Sequence, residues 1–244
     1  MKNIIVGFCC FFIIALVASC GAEGENLESS PSQQETPSVS TEEQAMGLIL
    51  PIEAISWGMS KEECLSHLSG NTQETVDENG NTVVTVNQEV LGKNATVKLI
   101  FYQQTENKYF TNLPEQYLNA MEIQYAVVDY DAVIAELTQK YGMQWREDNV
   151  ETGKTLYFGS YQLKDISDET IKNQAKMYLA VGGNPGAYDG RTPEQVLEEK
   201  TPEEKEAMET SVLDYIMVEV PNEADHFTLK AYGQWMLPIA NVVR

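Results

Sequence analysis

Four cysteines are the side chains of this sequence with the most distinctive chemistry, because a thiolate is a strong nucleophile and a site of covalent modification. They are Cys9, Cys10, Cys20 and Cys64. Cys20 follows two small residues, Ala18 and Ser19, whereas Cys9 and Cys10 follow bulky Phe8 or another cysteine. Cys20 therefore differs from Cys9 and Cys10 in its local sequence, and it is the candidate for modification.

The residues before Cys20 have the composition of a targeting segment. Lys2 is the only charged residue before Glu23, and residues 4–17 form an apolar run. The run has the length of a signal-peptide core and is shorter than the about 20 apolar residues that span a bilayer. The sequence Val17-Ala18-Ser19-Cys20 resembles the lipobox of bacterial lipoproteins.

The lipobox resemblance implies a lipid anchor. In lipoproteins the cysteine sulfur receives a diacylglyceryl group, and the chain is cut just before it. The resemblance therefore implies a signal peptide at residues 1–19 and a palmitate-type anchor on Cys20, at the extracytoplasmic face of the cell membrane. Two acyl chains give stable anchoring, whereas one gives only marginal binding. The alternative is an uncleaved apolar anchor reaching Ala22, in which Cys20 is an ordinary thiol.

Residues 20–47 predict an acylated cysteine followed by a disordered polar linker. Residues 21–47 contain no aromatic residue, Lys or Arg, and are rich in Gly, Ser, Glu, Gln, Thr and Pro. Such a composition buries too little apolar surface to offset the entropy of ordering. About 25 flexible residues have an r.m.s. reach of roughly 25–30 Å. We therefore expect the folded body, residues 48–244, to stand off the membrane.

The overall charge excludes one class of partner. The chain has 37 acidic and 16 basic residues, for a formal net charge of −21. Nucleic-acid binding needs clustered Lys and Arg against phosphates, so we expect no nucleic acid partner. The acidic residues are dispersed, which is typical of a well-solvated surface.

The remaining residues predict no catalytic or metal site. Cys64 lies in an apolar-periodic segment, so we expect a small buried hydrophobe, with a reactive thiol as the alternative. Cys and His lack zinc-site spacing, and we expect neither metal nor cofactor. Asp225 and His226 could form half of a triad, but neighbours in a strand point to opposite faces. His226 is therefore predicted to be a solvated histidine, as no hydrolase or P-loop motif accompanies it.

Two acidic segments have simpler explanations than cation binding. Residues 77–81 place oxygen ligands on alternate positions, but an EF-hand would need Gly and Glu where Thr82 and Gln88 stand. A hairpin turn at Asn79-Gly80 is the better prediction. Residues 165–169 are expected to begin a helix, whose N-terminus favours acidic side chains.

Aromatic residues provide the remaining functional lead. Tyr102, Tyr109, Phe110 and Tyr117 surround a polar segment, and Tyr and Phe are enriched in interface cores. Two interpretations stay open: a binding surface, or aromatic cover for the edge of a sheet.

The hydrophobic patterns predict an α+β fold with short helices packed on an antiparallel sheet. Ser60 and Glu63 form a capping-box pattern before a short helix that Gly70 would end. Alternating strands follow, with a second turn at residues 92–94. A second helix is predicted over residues 129–142, where Val133, Ile134, Leu137 and Tyr141 share one face.

The rest of the chain repeats this order less regularly. Segments 143–145 and 154–163 are predicted to be extended, and residues 167–180 to be helical, with an end that could also be a strand. Capping patterns at Thr192 and Thr201 predict two short acidic helices. Residues 211–221 and 226–236 are predicted closing strands. Whether the helix–meander order is a degenerate internal repeat stays open.

A second resemblance concerns the start of the folded body. The segment Trp57-Gly58-Met59-Ser60 followed by Glu62-Glu63 is similar to the opening of small envelope lipoprotein domains with the β-lactamase-inhibitor-protein-like fold. The resemblance covers residues 55–70 and the order of elements. It implies short helices on an antiparallel sheet and the binding of other proteins, with no binding residue to transfer.

Together these patterns predict a membrane-anchored, extracytoplasmic, non-catalytic lipoprotein that binds an envelope protein or another ligand. The alternative is an envelope hydrolase with a carboxylate-based site or with Cys64. A solute-binding lipoprotein is a third possibility, against which stand the length of the body and the absence of two α/β lobes.

Overall fold

The computed structural model describes residues 50–104, 110–184 and 190–243. The predicted signal peptide (1–19) and the linker with Cys20 (20–47) lie outside these residues, as does Tyr109. Their assignments stay predictions. In the described ranges, no helix combines the length and the apolar character needed to cross a membrane.

The described residues form six helices and eight strands. The helices are α1 (Lys61–Ser66), α2 (Tyr130–Tyr141), α3 (Glu169–Ala180), α4 (Pro193–Glu199), α5 (Pro202–Glu209) and α6 (Leu237–Val243). The strands are β1 (Thr72–Val76), β2 (Thr82–Val90), β3 (Lys93–Gln103), β4 (Gln116–Ala126), β5 (Arg146–Val150), β6 (Gly153–Gln162), β7 (Val212–Pro221) and β8 (His226–Tyr232). Short 3₁₀ turns lie at Val127–Asp129, Leu163–Asp165 and Gln234–Met236.

All eight strands form one antiparallel sheet in the order β1-β2-β3-β4-β8-β7-β6-β5. The predicted α+β class is therefore confirmed. The sheet consists of two four-stranded halves, β1–β4 and β5–β8, which meet where β4 pairs with β8. One helix precedes each half, and the second half carries α3, α4 and α5 between β6 and β7. This order agrees with the helix–meander repeat.

The period-2 pattern of the strands assigns one face of the sheet to the core. In β2, Val84, Val86 and Val90 are buried, whereas Thr85 and Asn87 between them are half-exposed or exposed. Strands β3 and β8 alternate in the same way, whereas β4, β6 and β7 do so except near the irregularities in their pairing. The buried side chains join one continuous core with α1 and α2. The opposite face is left for other uses.

Local capping patterns correctly place three helix starts. The Ser60 hydroxyl accepts from Glu63 N at 3.2 Å, and the Glu63 carboxylate accepts from Ser60 N at 2.8 Å. Thr192 and Thr201 form the same reciprocal boxes at α4 and α5. Each box satisfies two backbone N–H groups that a helix start leaves without intrahelical partners.

Three boundaries differ from the predictions. Residues 143–145 precede β5 and are not part of a strand. Strand β5 is a polar edge strand, and its residues carry no apolar pattern that would mark it in the sequence. Residues 233–236 are not in a strand: the short apolar segment after Tyr232 turns into α6, and such a segment does not distinguish helix from strand. Helix α1 ends at Ser66, before Gly70, and Ser69 N then donates to Gln88 Oε1 at 2.9 Å.

A polar group lies inside the core. Asp214 is 0% exposed, and its Oδ2 accepts from Trp57 Nε1 at 3.0 Å. Burial raises the pKa of Tyr141, and the negative charge of Asp214 adds to this rise. Gly233 packs against the Trp57 indole so closely that a Cβ atom would lie 2.6 Å from Cδ2. Trp57 is therefore fixed by one hydrogen bond and by close packing.

Gly153 is expected to be intolerant of alanine. A Cβ atom there would lie 2.3 Å from the Val220 carbonyl oxygen and 2.9 Å from Pro221 Cα. Because these are backbone atoms of the paired strand, β6 and β7 would have to separate. Gly153→Ala should lower the free energy of unfolding by about 3 kcal/mol, near the upper end of overpacking effects. The measurement is urea unfolding followed by circular dichroism.

Gly80 provides the matched control. It has a φ of +83° in the β1–β2 turn, and a Cβ atom there would meet nothing within 4 Å. Gly80→Ala should therefore show only the backbone penalty, about 1–2 kcal/mol. Equal losses for the two variants would contradict the close approach at Gly153.

Candidate functional site

The face of the sheet opposite the core, here called the open face, carries a continuous row of side chains. Register aligns one residue from each strand: Gln73, Thr85, Lys98, Glu122, Lys230, Met217, Tyr157 and Arg146, from β1 across to β5. None of these eight side chains is buried. The open face thus crosses the whole sheet and is accessible to a binding partner.

The centre of the open face holds balanced charges. Lys230 Nζ lies 2.8 Å from Glu219 Oε2, and Lys98 Nζ lies 3.8 Å from Glu122 Oε2. Partial burial lowers the pKa of Lys230, the hydrogen bond to Glu219 raises it, and the net shift is upward. These ion pairs place both positive and negative side chains in the middle of the open face, although the protein as a whole is strongly acidic.

An aromatic triad of Trp145, Tyr157 and Tyr215 lies beside this centre. The ring centroids of Trp145 and Tyr157 are 5.6 Å apart, and those of Tyr157 and Tyr215 are 5.7 Å apart. Trp145 Nε1 donates to the Gly159 carbonyl oxygen at 2.6 Å. Trp145 is nevertheless 45% exposed, so a large ring is held in a fixed position at the surface.

An arginine and a carboxylate orient the triad further. Arg146 Cζ lies 5.0 Å from the centroid of the Tyr157 ring. Asp148 Oδ1 accepts from Arg146 Nε at 2.9 Å, and Asp148 Oδ2 accepts from the Tyr157 hydroxyl at 3.0 Å. The hydrogen bond from Arg146 holds the pKa of Asp148 below its ordinary value. Rings that are already ordered lose little rotamer entropy when a partner binds.

The predicted aromatic cluster is divided by the structure. Tyr102 and Tyr117 are register partners on β3 and β4 and remain half-exposed. Burial and the nearby Tyr102 raise the pKa of Tyr117. Phe110 is instead buried, with its ring centroid 5.3 Å from that of Tyr178. Phe110 is therefore internal cover, whereas a binding role for the half-exposed Tyr102 and Tyr117 stays a prediction.

Cys64 and the two acidic segments lie as their local sequence patterns predict. Cys64 is completely buried, which confirms the small-hydrophobe prediction. Asp77 Oδ1 accepts from the backbone of Asn79 and Asn81, as expected of a hairpin turn. Asp168 Oδ1 accepts from two N–H groups at the start of α3, as predicted for an acidic helix N-terminus.

Asp225 and His226 form a pair that the sequence analysis did not expect. His226 Nδ1 lies 2.7 Å from Asp225 Oδ1, because Asp225 precedes β8 and is not bound by the alternation of a strand. The Asp225 side chain is 97% exposed and the His226 side chain is 44% exposed. The pair is therefore solvated. In the described ranges, no group of three or more His, Cys, Asp or Glu side chains is arranged to hold a metal ion.

Comparisons with protein-family models, with curated proteins and with solved structures find no match to this chain. The aromatic triad is not evident from the sequence, although the alternation along β6 and β7 is a signal that could group Tyr157 and Tyr215.

Proposed function

We propose that this chain is a lipid-anchored, non-catalytic binding module that uses the open face of its sheet to hold another protein of the cell envelope. The observation that carries the proposal is the ordered aromatic triad at the surface, which lies beside balanced charges. Both lie on the open face, and the core lies on the other side of the sheet. The proposed anchor is the diacylglyceryl group on Cys20.

The composition of the open face supports a protein partner. Trp, Tyr and Arg are the residue types most enriched among side chains that dominate binding energy. Trp145, Tyr157, Tyr215 and Arg146 group these types at one position. Eight strands at about 4.8 Å spacing make a face about 34 Å wide. Such a face accommodates a standard interface of about 800 Å² per partner.

The charge of the chain narrows the class of partner. With a net charge of −21, the protein repels acidic proteins at long range and favours neutral or basic ones. At contact, the alternating ion pairs Lys98–Glu122 and Lys230–Glu219 match a partner that carries both signs. We therefore propose a folded envelope protein that is basic or neutral overall and apolar where it meets the triad.

The proposed linker fits this role. A reach of roughly 25–30 Å lets the folded body meet a membrane-bound partner without lying against anionic lipid headgroups. The rival proposal is an envelope hydrolase. The complete burial of Cys64 disfavours its thiol version. Turnover of a substrate by the purified chain would favour the rival.

Removal of the triad is expected to abolish partner binding. A double variant, Trp145→Ala/Tyr157→Ala, should lower the affinity about thirtyfold or more, as is typical of residues that dominate an interface. The measurement is crosslinking in intact cells with identification of the captured protein, followed by titration of that protein against the purified full chain.

Val128→Ala is the control for this experiment. Val128 is 86% exposed and lies in a 3₁₀ turn rather than on the open face. The control should capture the partner at the wild-type level, and both variants should melt near the wild-type temperature. Full capture by a folded double variant would contradict the proposed function.

A further inference from the structure

A depression of about 400 Å³ lies at one end of the open face, apart from the aromatic triad. It is lined mainly by Asn87, Asn94, Thr96, Gln124 and the Asp225–His226 pair. Register explains its position: Ala126 pairs with His226, and the methyl side chain of Ala126 leaves space that longer side chains fill elsewhere on the face. Its volume falls in the range of about 300–1,000 Å³ that is typical of small-molecule sites.

The side chains lining this depression are ready to exchange hydrogen bonds. The Thr96 hydroxyl donates to Asn87 Oδ1 at 2.8 Å, which fixes the carboxamide and leaves its N–H₂ group for a ligand. Within the described part of the chain, the carboxamides of Asn94 and Gln124 form no side-chain hydrogen bond. A carboxamide offers two donors and an acceptor with two lone pairs. Three carboxamides from three adjacent strands therefore converge, and each has hydrogen-bonding groups left for a ligand.

The depression is close to neutral, in contrast to the chain. Among the residues that the structure describes, no Lys or Arg lines it and the one acidic residue is Asp225, whose Oδ1 lies 2.7 Å from His226 Nδ1. Phosphate and carboxylate groups are usually recognised by Arg or Lys, so an anionic ligand lacks its counterpart here. A neutral ligand with many hydroxyl or acetamido groups can both donate to and accept from carboxamides.

We infer that this depression is a binding site for a neutral oligosaccharide, held by the carboxamides of Asn87, Asn94 and Gln124. The site lies on the open face, on different residues from the aromatic triad that is proposed to bind a protein. It gives the anchored module a second contact, with the glycan material of a cell envelope.

The test uses the full chain in detergent micelles, labelled with ¹⁵N in its Asn and Gln side chains. The probes are tetra-N-acetylchitotetraose and maltotetraose, two neutral oligosaccharides, added to about 10 mM, which is ten times a Kd of about 1 mM. At least one of them should shift the Asn87, Asn94 and Gln124 carboxamide signals with saturation. Tetragalacturonate, an anionic oligosaccharide, should leave the signals in place.

Two variants locate the binding. Asn94→Ala/Gln124→Ala removes two carboxamides from exposed positions, so it should fold normally and weaken saccharide binding about tenfold. Gln73→Ala removes a carboxamide of β1 that does not line the depression, and it should bind like the wild type.

Four results would overturn the inference. The first is that neither neutral saccharide shifts the carboxamide signals, and the second is that tetragalacturonate shifts them equally. The third is that the double variant and Gln73→Ala bind the saccharide with equal affinity. The fourth is that tetraglycine shifts the signals and the saccharides do not. The last result would assign the depression to a peptide.

Discussion

A Cys20→Ala precursor is expected to lose its lipid and its processing together. No other cysteine in the segment follows two small residues, so no other thiol fits the lipobox pattern. Each acyl CH₂ contributes about 0.8 kcal/mol to membrane binding, and the loss of two chains removes stable anchoring. The variant should remain uncleaved, held only by its short apolar run, or be shed after cleavage elsewhere. The measurement is mass spectrometry of the N-terminal peptide together with detergent partition.

Cys9→Ala and Cys10→Ala are the matched controls for Cys20→Ala. Both residues belong to the proposed signal peptide, so each variant should yield a mature chain that begins with acylated Cys20. A wild-type chain whose N-terminal peptide begins at Met1, with an unmodified Cys20 thiol, would contradict the lipoprotein assignment. It would leave a simple N-terminal anchor, with the body on the same side of the membrane because Lys2 marks the cytoplasmic end.

Replacement of Asp214 by alanine is expected to destabilise the folded body strongly. Asp214 and Trp57 are 0% and 3% exposed, and the alanine would leave Trp57 Nε1 without its acceptor at 3.0 Å. A buried donor without a partner costs about 1–3 kcal/mol, and the vacated volume adds to this. We expect Asp214→Ala to lower the free energy of unfolding by about 4 kcal/mol. Urea unfolding monitored by tryptophan fluorescence measures it.

Asp214→Asn separates the effect of the hydrogen bond from the effect of the lost side-chain volume. The carboxamide has nearly the same shape and keeps an oxygen that can accept from Trp57 Nε1. Asp214→Asn should lower the free energy of unfolding by about 2 kcal/mol less than Asp214→Ala does. If the two variants were equally stable, the hydrogen bond to Trp57 would not be the interaction that makes Asp214 important.

Local rules account for the parts of the fold that could be predicted. The capping box at Ser60 and Glu63 and the turn at Asn79-Gly80 depend on residues within four positions of one another. The antiparallel pairing of neighbouring strands follows from short turns. The pairing of β4 with β8 does not, because more than 90 residues separate the two strands along the chain and only the folded sheet brings them together.

The candidate site was predicted less well than the fold. Tyr102 and Tyr117 were recognisable as a group because they flank one polar segment. The triad was not, because Trp145, Tyr157 and Tyr215 come from three segments whose alignment depends on the register of β5, β6 and β7. The Trp57–Asp214 hydrogen bond joins residues 157 positions apart and gives no local signal.

Photocrosslinking in intact cells tests the central claim most directly. A photoreactive phenylalanine would replace Met217, in the middle of the open face, or Glu206, an exposed residue of α5. The proposal predicts that Met217 yields one discrete crosslinked envelope protein and that Glu206 does not. Crosslinks of equal yield at both positions, or crosslinks at Glu206 alone, would contradict the open face as the binding surface.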